Sequence, residues 1–329
     1  MLDTFQTFLL IVLVLLGINY LTAVFIDRIV LSGRDNPVKS LTEEGFEDGS
    51  EAKAAQGTML ANDDLYDDFY ASVYDKLAQG IERSAGKVAL VMTQWKNWGM
   101  EPANLRVLDA GCGTGVASVA FTKLGAGRVI GLDLSEAMLR QARNVTLPAT
   151  TLTQSQKDSL EWRKGDLLNP SAVAASEVNA AVVFYFTIYY MKDLDAFFRN
   201  MGVWVAPGGF MVVEVVNKYK FDPILDSASP FAGFSIQKYA DKRMTKSKVH
   251  FDKFDYEAEF KLHEGASTAE FREAFQFKDG SKRKQKHHFI MPDIKNIVNS
   301  ATYAGWTYKA SLDTTALGFE YGFLLFFTH

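Results

Sequence analysis

The chain has 329 residues, enough for one large domain or two small ones, and 48% of them are hydrophobic. Its formal net charge of −4 gives no general attraction for nucleic acid. The single cysteine, Cys112, and the five scattered histidines exclude an internal disulfide framework and argue against a metal site.

The first segment of the chain is strongly apolar. Residues 5–26 contain no charged side chain, and about 20 apolar residues are enough to span a bilayer as a helix. We therefore predict a transmembrane anchor in residues 1–31, with a cleaved signal peptide or a buried core helix as alternatives. Arg28, Arg34 and Lys39 follow the span, whereas Asp3 precedes it, which predicts that the rest of the chain lies on the cytoplasmic side.

Residues 32–62 are polar, acidic and poor in aromatic side chains, which predicts a flexible linker. A folded domain is expected over residues 63–329. It opens with a helix that Asn62 or Asp63 caps, and this helix places Tyr70 and Tyr74 on its apolar face.

Strand-like and helix-like segments alternate between residues 105 and 217, which predicts an α/β fold with a mostly parallel sheet and helices on both faces. Residues 218–291 alternate apolar and polar side chains and predict an antiparallel insertion after the fifth strand. The basic run at residues 278–288 is interpreted as a solvated loop, with contact to anionic lipid headgroups as the alternative. A helix near residue 292 and a closing hairpin complete the chain.

The sequence "VLDAGCGTG", Val107–Gly115, combines a buried strand with a glycine-rich turn at its end. Ligands of open α/β sheets bind at the carboxyl ends of such strands. A phosphate-binding P-loop requires Gly-Lys-Ser/Thr, and the dinucleotide fingerprint requires a glycine where this chain has Val116. The turn therefore indicates a ligand that is not held by phosphate groups.

The segments "VLDAGCGTG", "GLDLSEAML" and "KGDLL" follow one another in the order of three strands. In this the chain resembles the class I S-adenosylmethionine-dependent methyltransferases, over about residues 63–217. The resemblance implies a Rossmann-like methyltransferase fold with a seven-stranded sheet. It also implies S-adenosyl-L-methionine as the cofactor.

The same resemblance implies roles for particular residues. Asp109 would meet the amino group of the methionine part, Asp133 the ribose hydroxyls, and Asp166 the adenine amino group. Alternatively, Asp133 and Asp166 are turn residues, and Met138, which would cover the adenine, belongs to the core. The full set of residues predicted to bind the cofactor is Asp109, Gly111, Cys112, Gly113, Gly115, Asp133, Leu134, Met138, Asp166, Leu167, Tyr70 and Tyr74.

The acceptor side is less defined, because alignment of the reacting atoms rather than one universal residue promotes methyl transfer. No catalytic residue is assigned. We predict that substrate-facing side chains lie at the end of the fourth strand and on the fifth, namely Tyr185, Tyr189, Tyr190 and Glu214, with Thr187, Asn217, His250, His263 and Arg272 as further candidates.

We expect methyl transfer to a small-molecule, lipid or membrane-associated acceptor. A nucleic acid acceptor is not expected. The region after the fourth strand lacks the proline-containing motif of enzymes that methylate base amino groups. Methylation of cytosine C5 needs a cysteine nucleophile, and the single cysteine, Cys112, lies in the glycine turn. Two alternatives remain: a non-catalytic module that binds the cofactor and recruits a partner to a membrane, and a nicotinamide oxidoreductase.

Overall fold

A computed structural model describes residues 59–221 and 245–329, apart from residues 79, 264 and 266. The described residues belong to one structural unit that covers residues 48–329. The predicted anchor and residues 32–58 of the predicted linker lie outside the described residues. Within the part of the chain that the structure describes, no helix combines the length and the apolar character needed to cross a membrane.

The strands alternate with helices in the first half of the unit. In chain order the strands are β1 (Met59–Ala61), β2 (Arg106–Ala110), β3 (Arg128–Asp133), β4 (Leu160–Lys164), β5 (Val178–Val183), β6 (Val205–Val216), β7 (Lys246–His250), β8 (Phe254–Leu262), β9 (Thr268–Phe277), β10 (Lys282–Ile290), β11 (Thr307–Asp313) and β12 (Gly322–Thr328). The helices are α1 (Asp68–Ala78), α2 (Gly80–Asn97), α3 (Val116–Lys123), α4 (Glu136–Gln141), α5 (Gln154–Asp158), α6 (Leu194–Trp204) and α7 (Ile294–Tyr303).

A seven-stranded sheet with the order β11-β12-β6-β5-β2-β3-β4 forms the centre of the unit. β12 is antiparallel to both of its neighbours, and the pairs from β6 to β4 are parallel. The predicted Rossmann-like sheet with a closing hairpin is confirmed. The strand order reverses between β2 and β5, so the carboxyl ends of these two strands open a crevice, with β3 as the next strand beside β2.

Apolar side chains cover both faces of this sheet because its central strands are buried on both sides. One cluster packs α6 and α7 against the sheet around Trp204 and Trp306. The other packs α2 and α3 against the opposite face around Trp95 and Phe121, and these four aromatic side chains are almost completely buried. The central sheet is thus a rigid support for the loops at its carboxyl edge.

The predicted insertion forms a second, five-stranded sheet in the order β1-β10-β9-β8-β7. Its strands pair antiparallel, except that β1 pairs parallel to β10. Inward and outward side chains alternate along β8, as expected for a sheet with one solvated face. The inner face packs on α1 and α4 through Tyr70, Met138, Tyr256 and Phe275.

Several predicted boundaries were wrong. The predicted linker reached residue 62, but residues 59–61 are strand β1. The opening helix begins at Asp68, where the side chain of Asp67 accepts a hydrogen bond from the amide of Tyr70 at 3.0 Å. The fourth strand of the central sheet ends at Val183, and residues 187–190 form a 3₁₀ turn instead of continuing the strand.

The basic run at residues 278–288 is not a loop, because most of it is strand β10. Arg283 points inward: only 4% of its side chain is exposed, and it pairs with Asp67 at 2.6 Å and donates to the carbonyl of Leu65 at 2.8 Å. Its neighbour Lys284 is exposed. Arg283 therefore joins the insertion to the start of α1.

Replacing Arg283 with Met should lower the free energy of unfolding by about 2 kcal/mol, because the carbonyl of Leu65 and the carboxylate of Asp67 would lose their donor. Lys284→Met is the matched control on the solvated face and should change it by less than about 0.5 kcal/mol. Urea denaturation of both variants measures the difference. Equal effects would show that the inward and outward faces of β10 are assigned incorrectly.

Candidate active site

The glycine-rich turn between β2 and α3 is held against the end of β3. The amides of Gly111 and Cys112 both donate to the carbonyl of Leu132, at 2.8 and 3.0 Å. Gly115 has φ +80°, and a Cβ there would lie 2.3 Å from the ring of Trp162. Gly113 has φ +54°, and its nearest neighbour would be the ring of Tyr74 at 4.0 Å. The turn is thus tight at Gly115 and open at Gly113.

Asp133, the last residue of β3, ties the turn to the next helix. One carboxylate oxygen accepts from the amide of Gly113 at 2.8 Å, and the other accepts from the amide of Ser135 at 2.8 Å. Burial raises the pKa of Asp133, and these amides partly offset the effect. The carboxylate predicted to meet the ribose therefore also fixes the glycine turn.

Asp109 lies one residue before the end of β2, and only 2% of it is exposed. The hydroxyl of Ser118 donates to its carboxylate at 2.6 Å. Burial raises the pKa of Asp109 to about 7. Its side chain borders a small cavity of about 30 Å³ formed by the glycine turn together with Tyr74, Asp75 and Ser84.

A second cavity of about 190 Å³ lies between the central sheet, α1, α2 and the insertion. Aromatic side chains form most of its wall, with Glu214, Glu273, Lys87, Arg83 and His287 among the polar groups. The tyrosines that line it are Tyr66, Tyr70, Tyr74, Tyr185, Tyr190 and Tyr256. We call it the acceptor cavity.

The two cavities share a wall made by Tyr74, Tyr185 and Thr187. Tyr185 adopts φ +54°, which is unusual for a residue with a bulky side chain and costs about 1–2 kcal/mol. Its amide donates to Glu214 at 2.5 Å and its hydroxyl bonds to Ser84 at 2.6 Å. These contacts hold a strained residue at the boundary between the two spaces.

Lys87 and Glu214 form a buried ion pair beside this wall. Their side chains are 2% and 3% exposed, and the closest nitrogen and oxygen are 2.7 Å apart. The ammonium of Lys87 also lies 3.9 Å from the centre of the Tyr185 ring. Burial lowers the pKa of Lys87, while the charge of Glu214 opposes that change.

Glu273, on β9, is the centre of a hydrogen-bond network on the opposite wall. Its carboxylate accepts from Tyr70 at 2.9 Å, from Tyr256 at 2.6 Å, from Gln285 at 2.7 Å and from Nε2 of His287 at 2.6 Å. Burial alone would raise the pKa of Glu273, but His287 and these hydrogen bonds outweigh burial and lower the pKa. Glu273 is thus the acceptor in all four of these hydrogen bonds.

The structure brings most of the predicted substrate-facing residues together. Tyr185, Tyr190, Glu214 and Thr187 line the acceptor cavity. Tyr189 does not line either cavity, because its hydroxyl is bound to the backbone of Val216 at 2.8 Å within the core. The structure also places the four further candidates outside the cavity lining: Asn217, His250, His263 and Arg272.

The predicted cofactor residues fall into two groups. Around the small cavity lie Asp109, Gly111, Cys112, Gly113 and Tyr74, while Gly115 and Asp133 support the turn. Away from it, Tyr70 lines the acceptor cavity, Met138 and Leu167 are buried in the core, and Leu134 and Asp166 are exposed. Asp166 accepts a local hydrogen bond from the amide of Leu168 at 2.8 Å. Its proposed contact with adenine stays a prediction.

The residues that form the insertion side of the cavity were not predicted from the sequence. Glu273 and His287 face inward from β9 and β10, and Tyr66 precedes α1. The alternation of Arg283, Gln285, His287 and Phe289 with lysines was the available signal, since residues two apart share a face of a strand.

Comparison with known proteins identifies the domain that contains the glycine turn. Residues 107–209 match the family model of a methyltransferase domain. The chain is 31% identical over 115 residues to the ribosomal protein L11 methyltransferase of Alkaliphilus metalliredigens, which covers 35% of each chain. It is also 30% identical to the ubiquinone biosynthesis O-methyltransferase of Methylocella silvestris over 114 residues, and this alignment covers 35% of this chain and 41% of the relative.

The matched residues contain the glycine turn, Asp133 and the two strands that position them. The chain contains a methyltransferase domain over these residues. It spans about a third to two-fifths of the length of these two relatives. The similarity therefore describes the domain and leaves the acceptor open.

Solved structures show the same fold around this domain. The CcbJ methyltransferase of Streptomyces caelestis has a TM-score of 0.58 at 16% identity and covers 80% of this chain and 97% of its own. An S-adenosylmethionine-dependent methyltransferase of Clostridium acetobutylicum has a TM-score of 0.56 at 15% identity, with coverage of 79% and 97%. CalS10 of Micromonospora echinaspora has a TM-score of 0.52 at 18% identity, covers 78% of this chain and 97% of its own, and contains bound S-adenosyl-L-methionine.

The residues around the small cavity fit the amino-acid end of this cofactor. A buried carboxylate at Asp109 suits an ammonium group, and the open side of Gly113 lets a ligand approach the backbone. The sulfonium supplies an activated methyl group when it is bound. Among residues 59–221 and 245–329, no group of His, Cys, Asp and Glu side chains is arranged to hold a metal ion.

The affinity for S-adenosylmethionine should rise about tenfold between pH 6 and pH 8. The pKa of Asp109 is about 7 in the free protein, so its carboxylate is mostly protonated at pH 6 and mostly charged at pH 8, when it can pair with the ammonium group. Calorimetric titration across this range measures the dependence.

Asp109→Asn should bind more weakly and largely remove the pH dependence. Asp75 borders the same cavity, and its pKa is raised to about 6 by burial, so Asp75→Asn is the matched control and should keep most of the dependence. A flat profile for the unaltered protein would contradict the role of Asp109.

Proposed function

We propose that the protein transfers a methyl group from S-adenosylmethionine to a small molecule bound in the acceptor cavity. The observation that carries this proposal is the wall that the two cavities share. Tyr74, Tyr185 and Thr187 border both the small cavity at the glycine turn and the larger aromatic cavity. A donor on one side and an acceptor on the other would meet across it, which is the alignment that methyl transfer needs.

The size and lining of the acceptor cavity support a compact acceptor rather than a protein surface. Its volume is about 190 Å³, and aromatic side chains such as Phe186, Phe289 and Tyr256 cover much of its wall. Cavities of this kind bind small ligands through apolar contact and a few polar groups. The ubiquinone biosynthesis O-methyltransferase relative is consistent with a small acceptor. The ribosomal protein L11 methyltransferase relative makes a protein acceptor the competing hypothesis, which the experiment below tests.

We further propose that residues 5–26 anchor the protein in a membrane as a single span, with the methyltransferase domain in the cytoplasm. The support is the uncharged apolar stretch followed by Arg28, Arg34 and Lys39. An anchored enzyme would act on a lipid or another acceptor that collects at the membrane surface.

Methyl-labelled S-adenosylmethionine, incubated with the full-length chain and host-cell fractions, should transfer label to the small-molecule or lipid extract. Asp133→Ala should weaken cofactor binding by about 1–3 kcal/mol and slow labelling, because the glycine turn and the cofactor lose a shared acceptor. Asp158→Ala, at the exposed end of α5, is the control and should label normally. Label found only in ribosomal or other proteins would contradict a small-molecule acceptor.

The proposed anchor predicts that the full-length chain stays in the membrane pellet after alkaline carbonate extraction. Replacing Leu13 and Leu16 with lysine should release it, because each charge near the centre of a span costs about 2.5–3.5 kcal/mol. The double substitution Lys39→Leu/Lys53→Leu is the control outside the apolar segment and should leave the protein in the pellet. A soluble full-length chain would contradict the anchor.

A further inference from the structure

Four side chains in the wall of the acceptor cavity form a continuous line of hydrogen bonds. The hydroxyl of Tyr66 donates to the hydroxyl of Tyr190 at 2.8 Å. The hydroxyl of Tyr190 bonds to Nδ1 of His287, and Nε2 of His287 bonds to Glu273 at 2.6 Å. All four residues line the cavity. They come from four different segments, namely the residues before α1, the turn after β5, β10 and β9.

The hydrogen bonds of Glu273 set the direction of this line. Its carboxylate already accepts from Tyr70, Tyr256 and Gln285, so it also accepts from His287, and Nε2 of His287 carries the proton of that bond. In the tautomer with its one proton on Nε2, Nδ1 of His287 is an acceptor, and the hydroxyl of Tyr190 donates to it. The oxygen of Tyr190 in turn accepts from Tyr66. The line therefore ends at the oxygen of Tyr66, which keeps lone pairs for a hydrogen bond from a bound molecule.

The phenol of Tyr66 cannot act as a base by itself. Burial and the neighbouring hydroxyl of Tyr190 raise the pKa of Tyr66 well above its usual value, so the phenol stays protonated. It can accept a proton only if it passes its own proton to Tyr190 in the same event. The group that finally takes the charge is His287, where Glu273 stabilises the imidazolium.

The surroundings of Glu273 favour a neutral acceptor. Tyr70, Tyr256, Gln285 and His287 already donate to this carboxylate, so it has little capacity left for a substrate ammonium. The aromatic wall suits a flat ring. A molecule in contact with Tyr66 would find a hydrogen-bond acceptor, the oxygen of Tyr66, that is linked through Tyr190 to the base His287. A hydroxyl group on the molecule suits this arrangement.

We propose that Tyr66, Tyr190, His287 and Glu273 form a proton relay that removes the hydroxyl proton of a flat aromatic acceptor during its methylation. The inference rests on the proposed function and names the class of its substrate. Tyr66 is the catalytic residue of the relay because it touches the acceptor, whereas the other three are positioning residues that act through it.

The step balances in atoms and charge. The oxygen of the acceptor forms the new O–C bond while the C–S bond of the cofactor breaks and sulfur keeps the electron pair. The O–H bond of the acceptor breaks and its proton passes to the oxygen of Tyr66. The proton of Tyr66 moves to Tyr190, and that of Tyr190 moves to Nδ1 of His287. The products are a methyl ether, S-adenosylhomocysteine and an imidazolium that later loses its proton to water by the reverse path.

The test compares two phenols that differ in how easily they ionise. At pH 8, 4-nitrophenol is mostly ionised and needs no base, whereas 4-methylphenol is neutral and depends on one. Formation of S-adenosylhomocysteine is measured for the full-length protein and for Tyr190→Phe, which keeps the ring that packs on Phe289 but breaks the relay. Tyr190→Phe should lower the rate of methylation of 4-methylphenol by about 10²–10⁴-fold and that of 4-nitrophenol by less than about tenfold.

Tyr189→Phe is the matched control, since Tyr189 lies in the same turn as Tyr190 but lines neither cavity, and its hydroxyl bonds to the backbone of Val216. It should leave the ratio of the two rates unchanged. Tyr66→Phe is a second variant for the case that Tyr190→Phe does not fold, and it should show the same selective loss. Calorimetric binding of S-adenosylmethionine is measured for every variant.

The outcomes separate the relay from the function on which it rests. A selective loss for 4-methylphenol supports the relay, and equal losses for both phenols overturn it in favour of a structural network. Cofactor binding without methylation of either phenol overturns the proposed acceptor class and the relay but leaves the cofactor site intact. If S-adenosylmethionine does not bind the unaltered protein, the proposed function itself fails, and the relay fails with it.

Discussion

The buried carboxylate of Glu273 is the interaction on which the acceptor side of this protein depends. A carboxylate removed from water must be compensated by donors, or it would destabilise the fold by several kcal/mol. Here the donors come from α1, from β8 and from two positions of β10. Satisfying one charge therefore fixes the positions of Tyr70, Tyr256, Gln285 and His287, and with them much of the cavity wall.

Asp133 has the same role on the cofactor side. It accepts from the amides of Gly113 and Ser135, and so it joins the glycine turn, the end of β3 and the start of α4. Tyr66 connects the two sides, because its carbonyl accepts from the hydroxyl of Ser135 at 2.7 Å while its own hydroxyl belongs to the relay. The segment before α1 is thus bound to both functional regions.

The central sheet was predictable from the sequence because its strands are buried apolar runs separated by amphipathic helices. The glycine turn with Asp109 and Asp133 was predictable because a tight backbone bend and strand-end acids leave a local signature. The insertion was recognised as antiparallel, but its polar inner face was not. Arg283 and His287 sit in a run of lysines, and composition alone made that run resemble a solvated loop. Their burial depends on partners such as Asp67 and Glu273 that lie far away in the sequence, which no local pattern shows.

The ion pair of Lys87 and Glu214 has a further consequence for selectivity. Both charges are already compensated within the protein, and neither side chain is accessible to water to a useful extent. An ionic compound that enters beside them would lose its hydration shell, and this pair would offer it no counter-charge in return. The desolvation would cost several kcal/mol. This dehydration cost would make charged compounds bind more weakly than neutral ones of the same shape, without any steric clash at this wall.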